Sequence, residues 1–386
     1  MLAPRALFLL LNVYPVCHSV AAAVVPKQIT VQPTASGIFE IGDDSSGGKC
    51  SDSQVATINT WLEETVKIHN AALAAYHGIG TDEIYQAMFE TWLNIQFDDD
   101  EVDEFFSDWW NKVGTRLAAV ATFLSGGGIT GGKAGKPYLF CGDTFAQQQK
   151  WSNFARDGTG ADMVKSSDDN GATAYYTVEE VYPKMKDYQV TELNANGETV
   201  MIQSVTPFWV SSLKGYVFDG SGEDSLCDKT TRVASTSRAD TNAGTEAGSP
   251  EGFTYAAFNR HIYLCPLAFV ANPGKHHGYA TLADVVSYST YPTLASKDPA
   301  QFSSLSCTLY HELFHLTDTA GEDNDRNFYE SKIIIASGDR TVLDAPEPYV
   351  YLAMAAYIYQ NPPATPDGET EKPAIYYTDR KRWKYA

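Results

Sequence analysis

Apolar side chains recur at helical spacing in three segments between residues 55 and 124. They are Val55, Ile58, Leu62 and Val66, then Ile84, Met88, Trp92 and Ile95, and finally Val102, Phe106, Trp109, Val113, Leu117, Val120 and Leu124. Steps of three and four residues place such side chains on one face of a helix, where they can pack into a core. We therefore predict three amphipathic helices, with Ser51, Asp52 or Ser53 capping the first and Thr81 or Asp82 the second.

Short apolar runs replace the helical spacing between residues 137 and 270. Strands are predicted at 138–141, 199–205, 208–210, 216–218 and 261–265 because β-branched and aromatic residues are frequent there. Residues 142–198 are interpreted as an insertion, and the Ser-, Thr-, Ala- and Gly-rich stretch 230–252 as a flexible, exposed loop. Helical spacing returns at 303–318 and 349–359. The predicted fold class is therefore α+β, mainly helical with a small mixed sheet.

The first 23 residues have the layout of a secretory signal peptide. A short basic start is followed by an apolar run over residues 6–16, and then by the small residues Ala21, Ala22 and Ala23. We expect secretion, with residues 24–49 forming a leader arm or a short propeptide, 50–360 the main domain and 361–386 a C-terminal tail. No later run of about 18 apolar residues indicates a membrane span.

The charge of the chain narrows its possible partners. Acidic residues outnumber basic ones by 48 to 28, and the formal net charge is −20. Nucleic-acid affinity depends on Lys and Arg neutralising phosphates, so this balance argues against a nucleic-acid partner and also against an anionic membrane.

Five cysteines remain after the signal segment, and most should form disulfides in an oxidising compartment. Cys307 is the expected free thiol because it falls within a predicted core helix.

One motif within residues 303–318 carries recognisable chemistry. His311, Glu312 and His315 form the pattern HExxH. Histidines four residues apart lie one turn apart on the same helix face, close enough for both imidazoles to bind one Zn²⁺. Zinc lowers the pKa of a bound water toward ~7, so Glu312 can take its proton and later deliver it to a leaving amine. The alternative is a solvated histidine pair on an ordinary amphipathic helix.

The third zinc ligand separates the classes of zinc peptidase. A metzincin would need glycine at 318 and histidine at 321, where this chain has Asp318 and Gly321. Glu330 stays open as a glutamate ligand. The stretch Gly-Glu-Asp-Asn-Asp at 321–325 is rich in carboxylates and favours an aspartate ligand instead.

Several segments, in a consistent order, resemble the deuterolysin-type aspzincin metallopeptidases, in particular the fungal lysine-specific metalloendopeptidase branch. The segments are CSDSQ at 50–54, YVFD at 216–219, HIYLC at 261–265, HELFH at 311–315, the turn at 321–325, and APEPY at 345–349. They cover roughly residues 50–360. The resemblance implies a zincin-like catalytic domain with one zinc per chain, held by His311, His315 and an aspartate, with Glu312 as general base.

The resemblance also implies roles for residues outside the motif. Asp325 is the first choice for the aspartate ligand, Asp323 stays open, and Asp318 is a weaker candidate. Tyr329 would stabilise the oxyanion, although it lies four residues after Asp325 rather than the family's three. Glu347 would face the ammonium group of a substrate lysine, while the alternative is that it merely opens the helix over 349–359.

Disulfide pairing is another implication of the resemblance. It pairs Cys227 with Cys265, and for Cys50 we expect Cys141 as the partner. The protein is thus predicted to be a secreted, monomeric zinc metalloendopeptidase that acts on protein or peptide substrates and prefers lysine next to the scissile bond. The substrate would add as a strand to the sheet edge, expected at 261–265.

Two rival functions compete with this prediction. One is a secreted zinc-binding or surface-antigen protein on the same fold that lacks peptidase activity. The other is a structural extracellular protein whose HExxH motif is accidental.

Overall fold

The computed structural model describes a mixed α/β fold with several small sheets. The described residues are 24–129, 135–167, 171–187, 189–193, 199–219, 225–227, 232–237, 250–253, 260–271, 278–291, 303–318, 340–363, 375–376 and 384–385. The expected signal peptide and most of the expected tail lie outside this set.

Five of the described helices are longer than ten residues, and they correspond to the five segments with helical spacing. The helices are α1 (Ala35–Ile38), α2 (Asp52–Gly78), α3 (Glu83–Leu93), α4 (Ser107–Leu124), α5 (Val178–Val181), α6 (Pro183–Asp187), α7 (Leu282–Val285), α8 (Ser306–Thr317) and α9 (Glu347–Gln360). Ser51 caps α2 through a capping box with Gln54, and Asp82 caps α3. None of the described helices combines the length and the apolar character that a membrane span requires.

The strands are short and fall into one four-stranded sheet, one three-stranded sheet and four two-stranded ribbons. They are β1 (Glu40–Ile41), β2 (Phe97–Asp98), β3 (Glu101–Val102), β4 (Tyr138–Cys141), β5 (Ala146–Gln148), β6 (Val164–Ser167), β7 (Thr173–Tyr175), β8 (Gln189–Leu193), β9 (Thr199–Ser204), β10 (Thr206–Val210), β11 (Gly215–Asp219), β12 (Ala234–Ser237), β13 (His261–Leu264), β14 (Ile375–Tyr376) and β15 (Lys384–Tyr385). The five predicted strands correspond to β4, β9, β10, β11 and β13.

The four-stranded sheet has the order β1-β4-β13-β12 and separates two apolar clusters. β1, β4 and β13 are parallel, whereas β12 is antiparallel to β13. Leu139 and Ile262 face the large helical core, and the alternate residues Phe140 and Tyr263 face a smaller cluster on the other side. Because both faces are covered, β4 and β13 are mostly apolar, which is why they were visible in the sequence.

Two expectations about this sheet are wrong. Residues 261–265 were expected at its edge, but β13 lies between β4 and β12, and β12 is the terminal strand among the described residues. Residues 230–252 were expected as a loop, yet Ala234–Ser237 within them forms β12. A four-residue strand of Ala, Ser and Thr carries almost no apolar signal, and only its pairing with β13 defines it.

The expected insertion at 142–198 does not stand apart from the residues that follow it. β5, which lies within it, pairs with β10, and β10 pairs with β11. Ala155, Met163 and Val178 from the insertion share an apolar cluster with Trp209 and Tyr216 from these later strands. Residues 142–219 therefore contribute jointly to the apolar clusters beyond the four-stranded sheet.

Residues 24–49 are integrated into the core rather than forming a detachable arm. β1 pairs in parallel with β4 and so provides one end of the four-stranded sheet. Ile29, Ala35, Ile38 and Phe39 are all buried in the helical core. Removing residues 24–49 would expose that surface, and the choice between a leader arm and a short propeptide stays a prediction.

The cysteine pairing matches the expectation. Disulfides join Cys50 to Cys141 and Cys227 to Cys265. Cys307 is free and buried in α8, and burial raises the pKa of its thiol to about 12. A thiol held in the neutral form in this way is neither a nucleophile nor a metal ligand.

Candidate metal centre

The HExxH residues lie at the middle and end of α8, a helix that is buried on every side. All twelve residues from Ser306 to Thr317 are buried, with α2 and α4 packed against the helix on one side and β12 on the other. His311 is 9% exposed, and Glu312 and His315 are each 5% exposed. The alternative of a solvated histidine pair on an amphipathic surface helix is therefore wrong. Three polar side chains in such a position call for a ligand or for hydrogen bonds.

The two histidine rings approach each other through their Nε2 atoms. Nε2 of His311 lies 3.0 Å from Nε2 of His315, and the ring centroids are 4.8 Å apart. Two nitrogens bound at ~2.0–2.1 Å to a tetrahedral zinc ion lie about 3.3 Å apart. The pair therefore fits one Zn²⁺ with only a small adjustment of the side chains.

Glu347 supports this pair from a second helix. It is the first residue of α9, and its Oε2 lies 2.7 Å from Nδ1 of His311. When Nδ1 carries the proton and donates it to the carboxylate, Nε2 of His311 keeps its lone pair on the side that faces His315. A carboxylate on the remote nitrogen is the usual partner of a metal-binding histidine.

The contact of Glu347 with His311 was not foreseen. Sequence reasoning placed Glu347 either at a lysine-binding pocket or at a helix start. The residue does open α9, where a negative charge is favoured, but no side-chain capping bond is formed there. Nothing in the linear sequence connects positions 311 and 347, because the contact arises from the packing of α9 against α8.

The carboxylate of Glu312 contacts strand β12. The hydroxyl of Thr236 lies 2.6 Å from Oε2 of Glu312 and 3.2 Å from the Glu312 carbonyl oxygen. Sequence reasoning missed Thr236, because it falls in the stretch expected as a loop. The only sequence feature that marks Thr236 as a strand residue is its β-branched side chain. One such residue in a run of small residues is too weak an indication to single it out.

Asp318, the weaker ligand candidate, has a charged neighbour of its own. Its Oδ2 lies 3.5 Å from a guanidinium nitrogen of Arg116, and both side chains are at least nine-tenths buried. Arg116 also donates a 2.6 Å hydrogen bond to the carbonyl of Leu343. A carboxylate engaged by a buried arginine is a poor choice for the third zinc ligand.

The other expected ligands lie outside the described residues. They are Asp325, Asp323, Glu330 and the oxyanion residue Tyr329. Within the described part of the chain, no group of three His, Cys, Asp or Glu side chains is arranged to hold a metal ion. The described half of the centre thus consists of two histidines, Glu312 and the supporting carboxylate of Glu347.

Comparison with known proteins gives a single partial similarity to report. No protein-family model matches the chain. No solved structure matches it either. The chain is 32% identical over 136 residues to a protein named non-secreted LysM effector LysM17, from Penicillium expansum. The matching stretch makes up 34% of this chain and 16% of that relative, so the chain spans a small part of the relative's length.

Proposed function

We propose that this protein is a secreted zinc metalloendopeptidase. The observation that carries the proposal is the convergence of Nε2 of His311 and Nε2 of His315 at 3.0 Å within a buried helix. A surface histidine pair would have no reason to face inward together, and a structural pair would be expected to bond to backbone carbonyls instead. Glu312, which lies between the two histidines in the sequence, provides the carboxylate that hydrolysis requires as a general base.

Each residue of the centre would have a separate task. His311 and His315 would hold the zinc ion, and Glu347 would orient the His311 ring through Nδ1. Bound zinc would supply Lewis acidity for activating water. Glu312 would accept a proton from that water at its carboxylate and pass it to the leaving amine. The third ligand would come from 319–339, with Asp325 ahead of Asp323.

Substrate binding would use the terminal strand β12 rather than residues 261–265. β12 is the last strand of its sheet and lies against α8 close to Glu312. An extended peptide that pairs with such a strand would lie across the candidate metal centre. The preference for lysine rests on the resemblance alone, because the described contact of Glu347 is with His311.

Secretion has independent physical support. Two disulfides join distant parts of the described chain, and such bonds persist in oxidising compartments. A secreted zinc-binding protein without peptidase activity is the second candidate function. The partial similarity to a protein named an effector supports the absence of peptidase activity, whereas the same name reads non-secreted and gives no support for secretion.

Zinc content and proteolysis, measured together, test the proposal. Purified protein and its Glu312→Gln variant are assayed for bound zinc and for cleavage of an unstructured protein. Glu63→Gln serves as the matched control, since Glu63 is an exposed glutamate on α2 paired only with Lys67 in the described contacts. We expect one zinc in all three proteins, and cleavage that Glu312→Gln lowers by about 100-fold or more.

Each outcome separates the candidates. One zinc without cleavage in wild type supports the non-catalytic zinc-binding protein, and absence of zinc excludes both metal-dependent functions. Equal cleavage by wild type and Glu312→Gln contradicts the mechanism. Separate replacement of Asp318, Asp323 and Asp325 by asparagine, followed by zinc analysis, identifies the third ligand.

A further inference from the structure

Strand β12 presents one side chain directly to the catalytic helix. Alternate residues of a strand face opposite sides of the sheet. Ser235 pairs with Tyr263, which belongs to the cluster beyond the sheet, whereas Thr236 pairs with Ile262, which belongs to the helical core. The Thr236 side chain therefore lies on the α8 side of the sheet, where it reaches Glu312.

The Thr236 hydroxyl has one proton and two acceptors within reach. The Oε2 atom of Glu312 lies at 2.6 Å and the Glu312 carbonyl oxygen at 3.2 Å. A charged carboxylate oxygen at the shorter distance is the stronger acceptor, so the proton goes to Oε2. The bond joins the terminal strand to the side chain that would move the proton.

Holding the Glu312 carboxylate in one orientation has a cost, to which this contact responds. A glutamate side chain has three rotatable bonds, and holding it in one rotamer costs conformational entropy. At 5% exposure, Glu312 also has little water to solvate its charge. One short, charge-assisted bond meets both needs.

We propose that Thr236 is a positioning residue for the general base, holding one carboxylate oxygen of Glu312 so that the group is fixed for proton transfer. The inference rests on the proposed peptidase function and extends it to a residue on the substrate-binding strand. A peptide that pairs with β12 would immobilise the strand that carries Thr236. Substrate binding and the orientation of Glu312 are thereby linked through one side chain.

The competing explanation is that Thr236 only satisfies a buried polar group and so contributes to stability alone. The two explanations differ in kinetics. A positioning residue acts on the chemical step, so its loss lowers kcat and leaves KM and zinc content nearly unchanged. A purely structural residue changes the fraction of folded protein and leaves kcat per folded molecule unaltered.

The experiment compares Thr236→Val, Thr236→Ser and the control Thr60→Val with wild type. Steady-state cleavage of a quenched fluorescent peptide with a central lysine gives kcat and KM, and zinc content normalises the active fraction. We expect Thr236→Val to lower kcat by about 10- to 100-fold, the loss of one hydrogen bond to a charged group. Thr236→Ser keeps the hydroxyl and should recover most of that loss. Thr60→Val makes the same replacement at an exposed position on α2, outside the proposed site, and should leave kcat within about twofold.

A second readout does not depend on activity. The thermal midpoints of Thr236→Val, Glu312→Gln and the double variant form a double-mutant cycle, and we expect the double loss to be smaller than the sum of the single losses. Unchanged kcat in Thr236→Val, with wild type cleaving, overturns this inference alone, and so does failure of Thr236→Ser to recover activity. Additive midpoints contradict the bond itself. If wild type fails to cleave, the proposed function and this inference fall together.

Discussion

Two histidines outside the HExxH motif are fully buried, and their ring nitrogens have different surroundings. His69 is bonded on both sides, with Nδ1 2.9 Å from the Tyr310 hydroxyl and Nε2 3.2 Å from the Leu117 carbonyl oxygen. His261 packs against two phenylalanine rings. Neither of its ring nitrogens has a hydrogen-bond partner among the described residues. Both rings are therefore held in the neutral form, at a cost that depends on pH.

Acid should destabilise the fold through these two rings. Burial lowers the pKa of His69 and of His261 to about 3, whereas an exposed histidine titrates near ~6.5. Below about pH 6.5 the unfolded chain binds protons that the folded chain does not, so the free energy of unfolding falls as pH drops toward about 3. Between pH 6.5 and 5, each histidine should remove about 2 kcal/mol, since one pKa unit corresponds to ~1.4 kcal/mol.

The variant His261→Leu tests this dependence. Replacing an unbonded buried ring by an apolar side chain removes both the polar group and its titration. Urea denaturation at pH 7 and at pH 5 should show a loss of unfolding free energy about 2 kcal/mol smaller in the variant than in wild type. Equal losses in the two proteins would contradict a neutral His261 in the folded state.

Glu347 supplies a prediction about metal affinity at the same scale. Glu347→Gln keeps the shape of the side chain but removes the negative charge beside Nδ1 of His311. Zinc affinity, measured by competition with a chromogenic chelator, should fall by about 10- to 100-fold. Glu63→Gln removes one carboxylate from an exposed site on α2 and controls for net charge. Equal affinity in both variants would show that Glu347 does not support the ligand.

At the scale of helices, α8 is held in place by a buried arginine on α4. Arg116 lies 3.5 Å from Asp318 at the end of α8 and donates to the carbonyl of Leu343, shortly before α9. Its guanidinium also lies 5.0 Å from the ring centroid of Tyr349. One side chain thus connects α4 with the end of α8 and with the start of α9. In the sequence, α4 is recognisable by its apolar stripe, and nothing in that stripe indicates that Arg116 is buried.

Arg116→Met should therefore destabilise the protein strongly. Removing one member of a buried ion pair leaves Asp318 uncompensated, and a loss of about 3 kcal/mol in unfolding free energy is expected. Lys67→Met breaks the exposed pair with Glu63 on α2 and should change stability by less than about 0.5 kcal/mol. Denaturant titration of both variants measures the difference. If both variants lose similarly little stability, the contacts of Arg116 do not stabilise the packing of these helices.

At the scale of the molecule, each of the two disulfides connects the end of a strand of the four-stranded sheet to another part of the chain. Cys50 precedes α2 and Cys141 ends β4, and 91 residues separate them. Cys227 and Cys265 are 38 residues apart and link the chain before β12 to the end of β13. Closing loops of these lengths restricts the unfolded chain, by about 4–5 kcal/mol for the longer one. The four-stranded sheet should therefore depend on oxidation.

Replacing Cys50 and Cys141 together by alanine should lower the free energy of unfolding by up to about 4 kcal/mol. Cys307→Ala is the control, since it removes a buried thiol without opening a loop. It should cost about 1 kcal/mol. Guanidinium denaturation without reductant gives both values. If the double variant is no less stable than Cys307→Ala, the 50–141 disulfide does not stabilise the fold.

The sequence by itself determined the long helices, the apolar strands and the HExxH motif. These features depend on local periodicity, on a strand buried on both faces, or on residues four positions apart, and all of these are visible in one dimension. The tertiary structure decided that β12 is the terminal strand, that residues 24–49 are part of the core, and that Glu347 and Thr236 reach the motif. Such contacts join residues 36 and 76 positions apart. They arise from the packing of α9 and β12 against α8, which no local pattern encodes.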